Sequence, residues 1–112
     1  MIAAPELSRF ANLGRLDKIP PGEGRVFRVG ALSIAVFHTR TGRVFATEPS
    51  CPHRGGPLAD GVIGETKVIC PLHAFVFDLC NGQPAGNDCR SLKTYPVMVN
   101  ANGDVLVDTD LL

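Results

Sequence analysis

Two short segments concentrate the residue types that bind metals. The first reads Cys51-Pro52-His53-Arg54-Gly55-Gly56-Pro57-Leu58 and the second Cys70-Pro71-Leu72-His73. Each offers one thiolate and one imidazole, spaced Cys-x-His in the first and Cys-x-x-His in the second, with sixteen residues between His53 and Cys70. Spacings this short let one tight turn aim both side chains at one point. Two such turns facing each other complete a four-ligand site. Two sulfurs and two nitrogens suit tetrahedral zinc, and they also suit a mixed-ligand [2Fe–2S] centre. The usual zinc arrangement puts both Cys in one pair and both His in the other. Here each pair is mixed, which a two-iron cluster accommodates when one iron takes both sulfurs and the other both nitrogens. Electron transfer through such a cluster is one reading; a zinc-stabilised interaction module without redox chemistry is the other.

The residues around these ligands serve the same end. Gly55 and Gly56 permit a sharp turn and a close backbone approach to sulfur. Pro52, Pro57 and Pro71 stiffen the loops. Ordinary turn chemistry accounts for the same residues, and the two explanations are compatible.

The elements that must hold the loops read as strands throughout. Phe10 to Leu16 is extended, and Lys18 to Gly24 is turn-forming, with Pro20, Pro21, Gly22 and Gly24. Arg25 to Val29 is a strand ended by Gly30. Leu32 to Thr39 is a second strand, offering Leu32, Ile34 and Val36 to one face. Arg40-Thr41-Gly42 turns the chain back into Arg43 to Glu48, and Pro49 leads into the first loop. Ala59-Asp60-Gly61 and Gly64-Glu65-Thr66 are turns. Lys67 to Cys70 enters the second loop as a strand, and Ala74 to Leu79 leaves it as another. Gln83 to Cys89 reads as loop. Leu92 to Asn100 and Asp104 to Asp108 form a closing hairpin. No helical period persists, so the fold class is all-β, built of packed antiparallel sheets.

Length and charge narrow the function. The chain has 112 residues, with eleven basic and eleven acidic side chains. That size predicts one domain, residues 1–112, able to bury a sizeable core. The balanced charge, without a basic run, argues against a nucleic-acid partner. The start lacks the features of a signal peptide, and no stretch approaches a membrane span. A cytoplasmic protein is the expectation. No Ser/His/Asp set, phosphate loop or dinucleotide fingerprint appears, so any enzyme activity belongs to an assembly. His38 reads as a surface or core histidine. Cys80 and Cys89 read as free thiols in a reducing compartment. Asp78, Asp88, Asp108 and Asp110 read as solvated.

Taken together, Cys51-x-His53 and Cys70-x-x-His73, the run from Cys51 to Leu58, Phe77-Asp78-Leu79 with Asn81-Gly82, and Leu92 to Val99 resemble the Rieske [2Fe–2S] ferredoxins. Within that family the chain looks most like the small subunit of NAD(P)H-dependent nitrite reductase. The likeness extends over most of the chain. It implies a Rieske-like antiparallel β-sandwich or barrel, with residues from about 49 to 77 as a small cluster-binding subdomain. It implies a [2Fe–2S] cofactor with Cys51 and Cys70 on the inner iron and His53 and His73 on the outer. It implies a redox protein as partner. That is the nitrite reductase large subunit on the first reading, or a ferredoxin reductase and a ring-hydroxylating dioxygenase on the second. High-potential members carry an extra Cys in each loop, paired as a disulfide; the matching positions are Gly56 and Leu72. Such members also place hydroxyls where Phe75 and Phe77 stand. Without those hydrogen bonds to sulfur, the expected potential is near the low end of the family range, on the order of −150 mV. Pro57, Leu58, Leu72 and Phe75 are the expected apolar rim for docking, and the His ligands could couple potential to pH.

Overall fold

Alternating apolar residues punctuated by glycine fold the chain into short antiparallel strands. The computed structural model describes residues 10–52, 55–72 and 74–108, and it contains three sheets. Strand β1 (Phe10–Arg15) pairs with β11 (Asp104–Asp108), which pairs with β10 (Val97–Val99). The second sheet has the order β2-β3-β4-β9, from β2 (Glu23–Val29), β3 (Leu32–His38), β4 (Val44–Thr47) and β9 (Thr94–Tyr95). The third runs β5-β6-β7-β8, from β5 (Val62–Ile63), β6 (Lys67–Ile69), β7 (Val76–Asp78) and β8 (Pro84–Ala85). Single 3₁₀ turns occupy Leu16–Lys18 and Leu58–Asp60.

Strand β3 is the wall between two cores. It pairs with β2 through a two-residue turn at Gly30 and Ala31, where Gly30 takes a φ of 61° that a side chain resists. Ile34 and Val36 pack with Ile19, Ala46, Tyr95, Val105 and Val107. Ala35 and Phe37, on the opposite face, pack with Leu58, Val68, Phe77, Leu79 and the two loop cysteines Cys51 and Cys70. The expected single apolar face of Leu32, Ile34 and Val36 is therefore half of the picture. The unbroken run from Ile34 to Phe37 belongs to a strand buried on both sides.

Several boundaries differ from expectation for local reasons. Leu92 to Asn100 is not one strand. Pro96 has no N–H to continue a ladder, so Thr94–Tyr95 pairs with β4 while Val97–Val99 pairs with β11. Val62–Ile63, between two stretches read as turns, and Pro84–Ala85, within a stretch read as loop, form the edges of the third sheet. Asp108 is buried at 3% exposure rather than solvated, because β11 lies at the centre of its sheet. Asp88 is exposed and Asp78 is half-buried, paired with Lys67 at 3.8 Å; Asp110 lies outside the described residues. Among the described residues, no helix is long and apolar enough to cross a membrane.

Phe37 is fully buried, against the core that also holds both loop cysteines. Phe37→Ala should lower unfolding free energy by about 3–5 kcal/mol, as read by urea denaturation with far-UV circular dichroism. A loss below about 1 kcal/mol, the range of minor substitutions, would remove Phe37 from the core.

Candidate metal centre

The third sheet and the end of β4 present two tips built on the same plan. In the first, Ser50 and Pro57 bridge across the base. Above them the Cys51 N–H donates to the Gly56 carbonyl at 2.8 Å, and the Gly55 N–H donates to the Cys51 carbonyl at 2.7 Å. In the second, β6 and β7 form the base, and the Cys70 N–H donates to the Phe75 carbonyl at 2.7 Å. Each cysteine is thus the first residue of a tip closed by a hydrogen bond to the residue five further on. Gly55 (φ 74°) supplies the left-handed backbone in the first tip, and Ala74 (φ 57°) does so in the second. A non-glycine residue in that conformation is uncommon, and such residues gather at functional sites.

The tips bring Cys51 and Cys70 together. Both are buried, at 2% and 1% exposure, in the same core cluster. Gly56 makes this approach possible, since a Cβ at that position would lie 2.6 Å from Cys70 Sγ. The same Cβ would lie 3.3 Å from Leu72 Cβ, so positions 56 and 72 face each other as the resemblance implied, without thiols. The Leu72 N–H donates to Cys70 Sγ at 3.4 Å. Burial pushes the Cys70 thiol above its ordinary pKa; the Leu72 N–H opposes this, and the adjacent Cys51 adds to it. Two soft sulfur donors are buried in one cluster, with a backbone N–H aimed at one of them. That donor set fits a thiolate-ligated iron. His53 and His73 lie outside the described residues. Among the described residues, no three His, Cys, Asp or Glu side chains are grouped to hold a metal.

Other sequence-derived candidates separate. Leu58, expected on the rim, is fully buried in the 3₁₀ turn and packs under the tips. Pro57 and Leu72 are exposed and Phe75 is half-buried. Phe77 is fully buried. His38 sits away from the tips, its Nδ1 2.6 Å from the Ile19 carbonyl oxygen. Cys80 and Cys89 are free thiols. A groove of about 430 Å³ between β4, β9 and Cys80 includes neither loop cysteine in its lining.

Sequence reading missed Glu48. Its carboxylate accepts from Arg90 Nη1 at 2.7 Å, Arg90 Nη2 at 3.0 Å and the Lys93 N–H at 2.8 Å. The pairing spans 42 residues, so no local pattern marks it. Burial pushes the Glu48 pKa up, but the Arg90 and Lys93 hydrogen bonds and charges outweigh it and leave the carboxyl lowered.

A family model for the Rieske [2Fe–2S] domain matches residues 10–96. The ferredoxin component of the naphthalene 1,2-dioxygenase/salicylate 5-hydroxylase systems of a Ralstonia species is 33% identical over 85 residues, covering 75% of this chain and 81% of that protein. In the complex of reduced oxygenase and oxidized ferredoxin of carbazole 1,9a-dioxygenase, a chain superposes with a TM-score of 0.78 at 30% identity, covering 89% of this chain and 93% of its own length. A structure described as an NADH-dependent nitrite reductase small subunit from Mycobacterium tuberculosis superposes with a TM-score of 0.80 at 23% identity, over 88% and 92% of the two chains. The chain belongs to the Rieske [2Fe–2S] domain family. Its cofactor is accordingly a Rieske-type [2Fe–2S] cluster and its role is electron transfer, and the zinc alternative falls away.

Gly56→Ala should leave the β content unchanged and reduce iron bound per chain at least severalfold. Gly64→Ala serves as control, because a Cβ there meets nothing nearer than 3.9 Å. Equal iron in both variants would dissociate Gly56 from the site. Because its pKa is lowered on folding, Glu48 contributes stability that is present above about 4.5 and lost as pH falls through the folded value. Glu48→Gln should therefore flatten the fall of melting temperature in acid; a profile parallel to wild type would sever that link.

Proposed function

We propose that this chain is the ferredoxin component of a ring-hydroxylating oxygenase system. On this reading Cys51 and Cys70 bind the inner iron of its cluster, and His53 and His73 bind the outer. Residues from about 49 to 77 form the cluster-binding subdomain of one domain. The observation that carries the reading is the likeness to a dioxygenase ferredoxin along most of both chains. Its level of identity supports more than a shared fold. The nitrite reductase small subunit, the first reading from the sequence, rests on a backbone match at lower identity and stands second. We place the protein in the cytoplasm, in keeping with free thiols at Cys80 and Cys89.

The residues described account for what a one-electron carrier needs. When bound, the cluster supplies the redox chemistry. The two closed tips hold the sulfur ligands in one geometry, which keeps reorganisation small. Burial of Cys51 and Cys70 keeps water from the inner side. Phe75 and Phe77 bring no hydroxyl toward sulfur, which favours a potential on the order of −150 mV, the low end for these centres. Leu72, 42% exposed on the second tip, and Pro57 beside the first offer a small apolar contact. Small interfaces suit transient redox encounters.

Dithionite-reduced protein should give a rhombic S = 1/2 EPR signal with an average g below the free-electron value. An axial or absent signal would overturn the mixed Cys/His ligand set. The reduced protein should be reoxidised by a terminal ring-hydroxylating oxygenase and not by a nitrite reductase large subunit; the reverse result would exchange the two readings. Leu72→Asp should slow that reoxidation about tenfold without altering the EPR spectrum. An unchanged rate would remove Leu72 from the docking surface.

A further inference from the structure

The groove of about 430 Å³ is a gap that the fold leaves beside its second sheet. Hydrogen-bonded pairs in an antiparallel ladder recur at every second residue. The Glu48 N–H donates to the Lys93 carbonyl at 2.8 Å, and Ala46 stands opposite Tyr95. The next such pair would join Val44 to Val97. It is not made, because Pro96 turns the chain away and Val97 pairs with Val107 in the first sheet. Val44 and Val97 both line the groove, and the N–H and C=O of Val44 are left there without a strand partner. Tyr95 lines the same groove. It is only 7% exposed, and its hydroxyl has no hydrogen-bond partner among the described residues. A buried hydroxyl ordinarily has one.

Cys80, an exposed free thiol, completes this lining. Its sulfur lies 3.8 Å from Arg43 Nη2, and the Arg43 guanidinium sits 4.9 Å from the centre of the Phe45 ring, also in the lining. Arg43 has no carboxylate partner among the described residues. The turn that carries Cys80 is pinned, since the Cys80 N–H donates to Asp78 Oδ1 at 2.7 Å and the Gly82 N–H to the Asp78 carbonyl at 2.7 Å. An accessible thiol, an unpaired guanidinium, an unpaired backbone edge and a buried unpaired hydroxyl thus surround one groove. A short peptide that carries a carboxylate and a sulfur meets all four.

We propose that Cys80 is a modification site: the groove binds a low-molecular-weight peptide disulfide bearing a carboxylate, with glutathione disulfide as the type, and Cys80 forms a mixed disulfide with it. The Cys80 thiolate attacks one sulfur of the bound disulfide. A new S–S bond joins Cys80 to one half, the original S–S bond breaks, and the other half leaves as a thiolate that takes up the proton Cys80 gave to water. The disulfide is itself the oxidant, so Cys80 sulfur is oxidised, the departing half is reduced, and no further reactant enters. Arg43 pairs with the carboxylate, the Val44 backbone with a peptide group and the Tyr95 hydroxyl with a carbonyl. Neither Cys51 nor Cys70 lines the groove, so the reaction is independent of the metal centre. Cys89, half-buried and outside the lining, is the internal comparison.

The test treats the cluster-loaded protein with glutathione disulfide or with the neutral hydroxyethyl disulfide, counting adducts by mass spectrometry of the intact chain and locating them by peptide mapping. Glutathione disulfide should add at Cys80 ahead of Cys89, at a rate that saturates with its concentration, while the neutral disulfide reacts without saturation. Arg43→Ala should slow the first reaction about fivefold relative to the second, the effect of losing one exposed ion pair. The comparison between the two disulfides cancels any influence of Arg43 on the thiol itself. Tyr95→Phe, which keeps the ring in its core, should raise the half-saturating concentration of glutathione disulfide about fivefold, the effect of one hydrogen bond. Modification ahead at Cys89, or wild-type rates that rise linearly with both disulfides, would overturn the proposal and leave Cys80 an ordinary surface thiol.

Discussion

Two thiols buried side by side govern this structure. Neither can ionise cheaply in a low-dielectric site while the other is negative, so the pair is costly alone and becomes favourable once a cation lies between the sulfurs. Bringing them together demands that the backbone of one tip approach the side chain of the other. That demand falls on Gly56, where any Cβ would intrude on Cys70. It also demands that each cysteine be held from below, which the backbone hydrogen bonds of the paired tip closures at Gly56 and Phe75 accomplish.

The same constraint explains why β3 is buried on both faces. A small domain has one strand's worth of interior to share, and Ala35 with Phe37 supports the tips while Ile34 with Val36 closes the other core. Leu58 completes the floor beneath the first tip. An apolar residue four positions before the first strand of the third sheet is thereby committed to the interior, while Pro57 and Leu72 stay exposed and Phe75 half-buried. The floor and the rim are different residues of the same two loops.

What could be read from the chain beforehand follows the range of the interactions. The Cys-x-His and Cys-x-x-His spacings, the turns at Gly30, Arg40–Gly42 and Gly103, and the closing hairpin are local, and each left a local mark. The strand breaks were less visible, although Pro96 carried the signal: a residue without an N–H in the middle of an apolar run is where a strand changes sheets. The interior position of Leu58 and the burial of Asp108 depend on which elements stack above them, which no spacing reveals. Glu48, Asn87 and Arg90 were the least legible. A carboxylate before one loop and a guanidinium after the other meet only because the third sheet folds back, and polar residues in turns ordinarily face water.

Membership of the family does not choose a redox partner, because ferredoxin components and nitrite reductase small subunits share this backbone almost equally well. Whatever discriminates between partners must reside where the scaffold leaves freedom. The inner face of the site offers none, since Gly56, Cys51, Cys70 and Phe77 are packed against one another. The freedom lies at the exposed part of the tips. A family that meets different partners with one kind of cluster can change contact there. In this chain that exposed part carries Leu72 and Pro57.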